Sequence, residues 1–190
     1  MRSSTSSSAR KTWSIRGKPV MATEVIHIDG QDVATLKELL RPDLKAVFVG
    51  LNPSPSSVVA GHYYQGKLGQ RLWERLQTYS FVTPLSKGQE DEEAFAQGFG
   101  FVDLVRRPTL REAGLSLREK IQAVPGLLGR LSALPDRPKL LYVFKAAYDL
   151  TADALRQEGF DPIRLPPPYA SKEAVQIAMP LILSALMTKK

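Results

Sequence analysis

Lys45-Ala-Val-Phe-Val-Gly-Leu-Asn-Pro-Ser54 is the stretch on which the fold turns. Its first six residues read as a short apolar strand with no polar alternation, as expected of a strand buried on both faces of a parallel sheet. Gly, Asn and Pro then stop it and open a loop rich in Pro, Ser and Gly. Downstream, the spacing predicts a helix from Gly69 to Tyr79, with Leu72, Leu76 and Tyr79 on one face, and a short helix near Glu90 to Gln97. Gly100-Phe-Val-Asp-Leu-Val105 reads as a second buried strand, which Arg106-Arg-Pro-Thr109 leaves. A helix from Ser116 to Leu134, a strand at Lys139 to Phe144, a helix from Ala146 to Gln157, a strand at Pro162 to Leu165 and a helix from Ser171 to Leu186 complete the series. Upstream, Asp32 is placed as the cap of a helix running to Leu40. Strands alternating with helices predict a three-layer α/β/α sandwich around a mostly parallel central sheet. In such sheets the chemistry lies outside the carboxyl ends of the strands, so the loops after Gly50, Val105, Phe144 and Leu165 should share one edge.

At 190 residues and 43% hydrophobic composition, the chain suits one domain with a proper core. Residues 1–22 read as a disordered basic arm and 23–190 as the folded domain. The arm is Ser-rich and acid-free through residue 20, which also suits a transit peptide; a start-site extension with Met21 as an alternative start is the other account. The formal charge of +7 is carried by the ends, because Arg2, Arg10, Lys11, Arg16, Lys18, Lys189 and Lys190 account for seven of 26 basic residues and leave 19 against 19 acids. Nucleic-acid binding must therefore rest on local clusters such as Arg106, Arg107 and Arg111. No apolar run has the length of a membrane span, so no membrane partner is expected. With no cysteine and two histidines, neither a disulfide framework nor a Cys- or His-rich metal site is expected. An intracellular setting follows as the expectation, cytoplasmic and nucleoid-associated in a bacterium, or organellar if the arm is a targeting segment.

Four segments, in order, resemble the mismatch-specific uracil and thymine branch of the uracil-DNA glycosylase superfamily. The first is Phe48-Val-Gly-Leu-Asn-Pro-Ser54, continuing through Ser56-Ser57 to Gly61-His-Tyr-Tyr64 and Leu72-Trp73. The second is Gly98-Phe-Gly-Phe-Val-Asp-Leu-Val-Arg-Arg-Pro-Thr109 and the third Phe144-Lys-Ala-Ala-Tyr148. The fourth, Leu165-Pro-Pro-Pro-Tyr-Ala-Ser171, occupies the place of the family's DNA-penetrating loop. The likeness spans about residues 42–187. It implies a monofunctional glycosylase that cuts uracil from G·U, and also thymine from G·T, mismatches. The implied partner is double-stranded DNA with a flipped-out base, engaged by a monomer that uses no cofactor and no metal.

Cutting an N-glycosidic bond develops positive charge on the sugar and negative charge on the departing base, so both must be stabilised while water reaches the sugar carbon. By resemblance, Asn52 holds that water; a neutral carboxamide orients water but scarcely deprotonates it. The backbone N–H groups of Leu51 and Tyr64 are the implied donors to the base oxygens, and the Tyr64 ring either stacks on the extruded base or, with Tyr63, packs the loop. His62 contacts the base or a phosphate, or is a loop histidine satisfied by hydrogen bonds. Ser56 and Ser57 meet DNA phosphates, or are ordinary loop serines. Asp103 either lines the pocket as a base-discriminating carboxyl or pairs at the strand end with a cation such as Arg106. Lys145 touches a phosphate or is solvated, and is not read as a Schiff-base residue.

The fourth segment departs from the branch, which carries Leu-Pro-Asn-Pro-Ser-Gly-Leu-Ser there. The Asn and Leu are absent, and Pro167, Pro168, Tyr169, Ala170 and Ser171 stand in their place, followed by Lys172. Tyr169 either replaces the leucine wedge or packs on the sheet edge, with Ser171 and Lys172 beside the DNA backbone. This departure motivates the alternative of a DNA- or base-binding member with weakened turnover. A nucleotide-binding enzyme is disfavoured, because the loop after Gly50 lacks both Gly-rich phosphate fingerprints.

Overall fold

The computed structural model describes residues 23–188; the basic arm expected at 1–22 and the terminal Lys189-Lys190 lie outside the described residues. The chain opens with β1 (Thr23–Ile28) and β2 (Gln31–Leu36), an antiparallel hairpin in which His27 faces Asp32. This corrects the helix expected from Asp32 to Leu40. Asp29 and Gly30 both take positive φ, 48° and 78°, which suits the two-residue turn that Asp-Gly favours. Asp32 caps nothing; its carboxylate meets the His27 ring at 3.0 Å across the strands.

β3 (Ala46–Gly50) follows, then α1 (Pro55–Ala60), α2 (Lys67–Thr78) and α3 (Glu90–Ala96) before β4 (Phe99–Asp103). The α1 helix falls within the stretch expected to be loop. Ser54 caps it by accepting from the Ser57 N–H at 3.2 Å, and Pro55 stands at its first position, where a missing N–H costs nothing. After β4 come α4 (Leu117–Ser132), β5 (Lys139–Tyr142), α5 (Lys145–Gln157), β6 (Asp161–Arg164) and α6 (Lys172–Met187).

The four later strands form a wholly parallel sheet in the order β4-β3-β5-β6. Alternation along β3 explains the two cores. Ala46 and Phe48 join Trp73, Leu76, Met179 and Ile182 from α2 and α6 on one face. Val47 and Val49 join Leu127, Leu131, Ala147 and Leu155 from α4 and α5 on the other. The result is the three-layer α/β/α sandwich expected from the pattern. The outer edge of β4 is closed by Leu39, whose N–H and C=O both bond to Phe101 at 3.0 Å. Chain order runs from β3 to β4 on one side and resumes at β5 on the other, so a crevice opens at the carboxyl end of β3.

Candidate active site

That crevice is a cavity of about 800 Å³ to which the loops after all four parallel strands contribute. Leu51, Asn52, Tyr64, Asp103, Lys145 and Tyr169 are among its lining residues, and Ser56 and Ser57 join them from α1. His62, Ser171 and Lys172 are not brought to it.

Asn52 is anchored from one side. Its Nδ2 donates to the Arg107 carbonyl at 3.0 Å, to Thr109 Oγ1 at 2.9 Å and to the Pro53 carbonyl at 3.3 Å. Carbonyls only accept, so they fix the orientation of the amide and leave Oδ1 as its acceptor. Thr109 Oγ1 spends its proton on the Arg111 carbonyl at 2.9 Å, which makes it an acceptor toward Asn52. The segment bearing these partners is itself pinned. Arg107 donates to both Glu119 carboxylate oxygens, at 2.7 and 2.8 Å, and to the Gly114 carbonyl at 2.9 Å. The same pairing raises the Arg107 pKa and lowers that of Glu119.

The serines build the loop that carries the cavity wall. Ser54 donates to Ser57 Oγ at 3.0 Å, and Ser57 Oγ accepts the Gln65 N–H at 3.1 Å, so buried Ser57 is committed inside the protein. Ser56 is exposed and shares a 2.9 Å bond with Ser54. His62 turns away to Asp91, 2.9 Å from Nδ1, while Asp91 accepts the Tyr63 N–H at 2.7 Å. Tyr64 takes a left-handed φ of 57°, a strain of about 1–2 kcal/mol for an L-residue. It is seated tightly, because a Cβ on Gly69 would fall 2.0 Å from the Tyr64 carbonyl oxygen. The Tyr64 ring packs edge-on to Trp73 and Phe101, with centroids at 6.0 and 6.2 Å.

Asp103 and Tyr64 converge over Gly50. A Cβ there would lie 2.0 Å from Asp103 Oδ1 and 3.2 Å from the Tyr64 hydroxyl, so the absent side chain makes their room. The Tyr64 hydroxyl is buried without a hydrogen-bond partner among the described residues. Asp103 is 4% exposed and does not pair with Arg106, which binds Glu24 at 2.5 Å instead. Burial pushes the Asp103 pKa up to about 8, reinforced by the charge of Glu38 and moderated by Arg130 and Arg106. Arg130 approaches it only through the backbone, donating to the Asp103 carbonyl at 2.9 Å. Burial and the Asp103 charge likewise hold the Tyr64 hydroxyl well above its usual range.

In the loop after β6, Tyr169 is 74% exposed and stands at the cavity. It does not pack on the sheet edge. Ser171 caps α6 by accepting the Ala174 N–H at 3.2 Å, and Lys172 begins that helix, exposed. Lys145 is paired with Asp149 one turn along α5. Two residues with a large share in the geometry were missed by sequence reasoning. Thr109 orients Asn52, and Arg75 reaches the loop after β6. No local pattern marks either one, since each acts on a loop more than fifty residues away in sequence.

The family model described as the Uracil DNA glycosylase superfamily matches residues 38–182. Among solved structures, the fold is similar to a Methanosarcina acetivorans protein provisionally named a uracil DNA glycosylase and determined by solution NMR. The TM-score is 0.58 at 15% identity, over 81% of this chain and 98% of that one.

Proposed function

The chain belongs to the uracil DNA glycosylase superfamily, and from that premise we propose that it is a monofunctional glycosylase releasing uracil at G·U, and thymine at G·T, mismatches in duplex DNA. It acts as a monomer on an extruded base, with no cofactor. The observation carrying this reading is the one-sided anchoring of Asn52, whose Oδ1 is left as an acceptor beside a cavity lined by Tyr64 and Asp103.

In the reaction, the C1′–N bond breaks with its electron pair leaving on the base, and a water oxygen bonds to C1′ and releases a proton. Asn52 Oδ1 accepts a hydrogen bond from that water and aims it; a carboxamide adds little basicity. Most of the rate enhancement then falls to stabilising the anionic base. Backbone N–H groups at Leu51 and Tyr64 serve as donors. Asp103 must be neutral for this step, since a carboxylate would repel the developing charge, and its pKa near 8 keeps the proton on at pH 7. A protonated Asp103 and the unpartnered Tyr64 hydroxyl are further donors in the same wall.

Incubating the protein with a G·U duplex followed by alkali should yield strand breaks. Asn52→Ala should slow them by roughly a hundredfold, the scale for losing a positioned transition-state group. No breaks at large enzyme excess would defeat the reading.

A further inference from the structure

The loop after β6 carries an unusual problem. Pro166, Pro167 and Pro168 have no N–H, so these residues cannot donate to any ladder, while their carbonyls still require donors. Within the loop only the Ala170 N–H is spent this way, on the Pro167 carbonyl at 2.8 Å. The remaining donors come from one distant side chain. Arg75, in α2, gives Nη1 to the carbonyls of Pro166 and Pro167 at 3.3 and 2.7 Å, and Nη2 to those of Pro168 and Ala170 at 2.9 and 3.4 Å. Two nitrogens thus span the loop on both sides of Tyr169. A planar guanidinium suits this arrangement, whereas a lysine ammonium is a single point on a flexible stem. Among the described residues Arg75 forms no ion pair, so its charge is directed wholly at loop dipoles. The same helix starts at the cavity wall, where Gly69 abuts the Tyr64 backbone.

We propose that Arg75 is the positioning residue of the Pro166–Ala170 loop: it sets the direction in which Tyr169 stands at the cavity mouth, and so governs extrusion of the base from duplex DNA but not cleavage of the bond. The second half of this rests on the glycosylase reading above. Arg75 touches neither base nor sugar. Its loss therefore penalises only a substrate that must be unpaired and unstacked first.

The test uses the full chain and two independent readouts. The protein has no cysteine, so Tyr169→Cys takes a nitroxide label at one site. The label should be immobilised when Arg75 is present and mobile in Arg75→Met and Arg75→Lys. In single-turnover cleavage, both Arg75 variants with native Tyr169 should lose about tenfold on a G·U duplex, the scale for charged hydrogen bonds, and stay within about twofold on single-stranded uracil DNA. Unchanged label mobility, equal losses on both substrates, or global unfolding of both variants would overturn the inference. Failure of the unmutated protein to cut either substrate would sink the glycosylase reading alone, leaving the spectroscopic result to judge Arg75.

Discussion

The loop after β3 and the loop after β6 line the same cavity and are held in opposite ways. The helical part of the first is built from its own residues, since Ser54 caps α1, Ser57 accepts the Gln65 N–H and Gly61 ends the helix in a left-handed turn, while Asn52 and Tyr63 at its two ends take partners from farther along the chain. The second, stripped of donors by its prolines, is held by a guanidinium more than ninety residues earlier in the chain. A loop whose polar groups are satisfied locally can be read from nearby residue types. A loop satisfied from across the fold cannot.

Four measurements test this difference between the two loops. Gly69→Ala comes first, because its Cβ would meet the Tyr64 carbonyl oxygen at 2.0 Å and backbone has little freedom to yield. A loss of about 3 kcal/mol in urea denaturation is expected, and a near-neutral result would mean that the first loop is far looser than its internal bonding implies. Next comes Asp103. In the unfolded chain its proton leaves near the ordinary 3.8, and in the folded protein near 8. Between those values the folded state holds a proton the unfolded state lacks, so stability falls as pH rises from about 4 to about 8, then levels off.

Glu38 and Asp91, also raised by burial, tilt the profile the same way, so the informative quantity is a difference. Asp103→Asn should flatten the slope by up to about 1.4 kcal/mol per pH unit, and base release by the unmutated protein should decline above about pH 8. Parallel profiles for the two proteins would refute the assignment. Thr109→Val removes one acceptor from the Asn52 amide and should slow cleavage roughly tenfold, with little change in melting, if orientation of Oδ1 limits the rate. Ser171→Ala is the smallest, costing about 1 kcal/mol as an ordinary cap. A much larger loss would show that the β6 loop depends on its own end and not on Arg75.

The parallel strands and most helices were legible because each buries a face whose apolar period is written locally, as in Ala46 to Gly50 or Leu72 and Leu76. The hairpin β1-β2 and the helix α1 differ from the expectation. Asp32 resembles a helix cap, but the Asp29-Gly30 turn and the alternation before it select a hairpin. The α1 helix hid in a Pro- and Ser-rich stretch, although Ser54 and Pro55 are ordinary start signals. In the site, the order of the four segments pointed to one strand edge, and residues from all four loops line one cavity there. Side-chain partners were not legible. His62 goes to Asp91, and Ser171 is taken up as a cap.

The layered architecture, the edge at which the loops gather and the family are all written in the chain, because hydrophobic period and motif order are local properties of it. Folding is what brings Asn52 to Arg107 and Thr109, buries Asp103 without an Arg106 ion pair, and sets Arg75 against the Tyr169 loop. Those outcomes depend on which donors and charges folding brings within about 3 Å of one another, and at separations of fifty to ninety residues no local pattern encodes that distance.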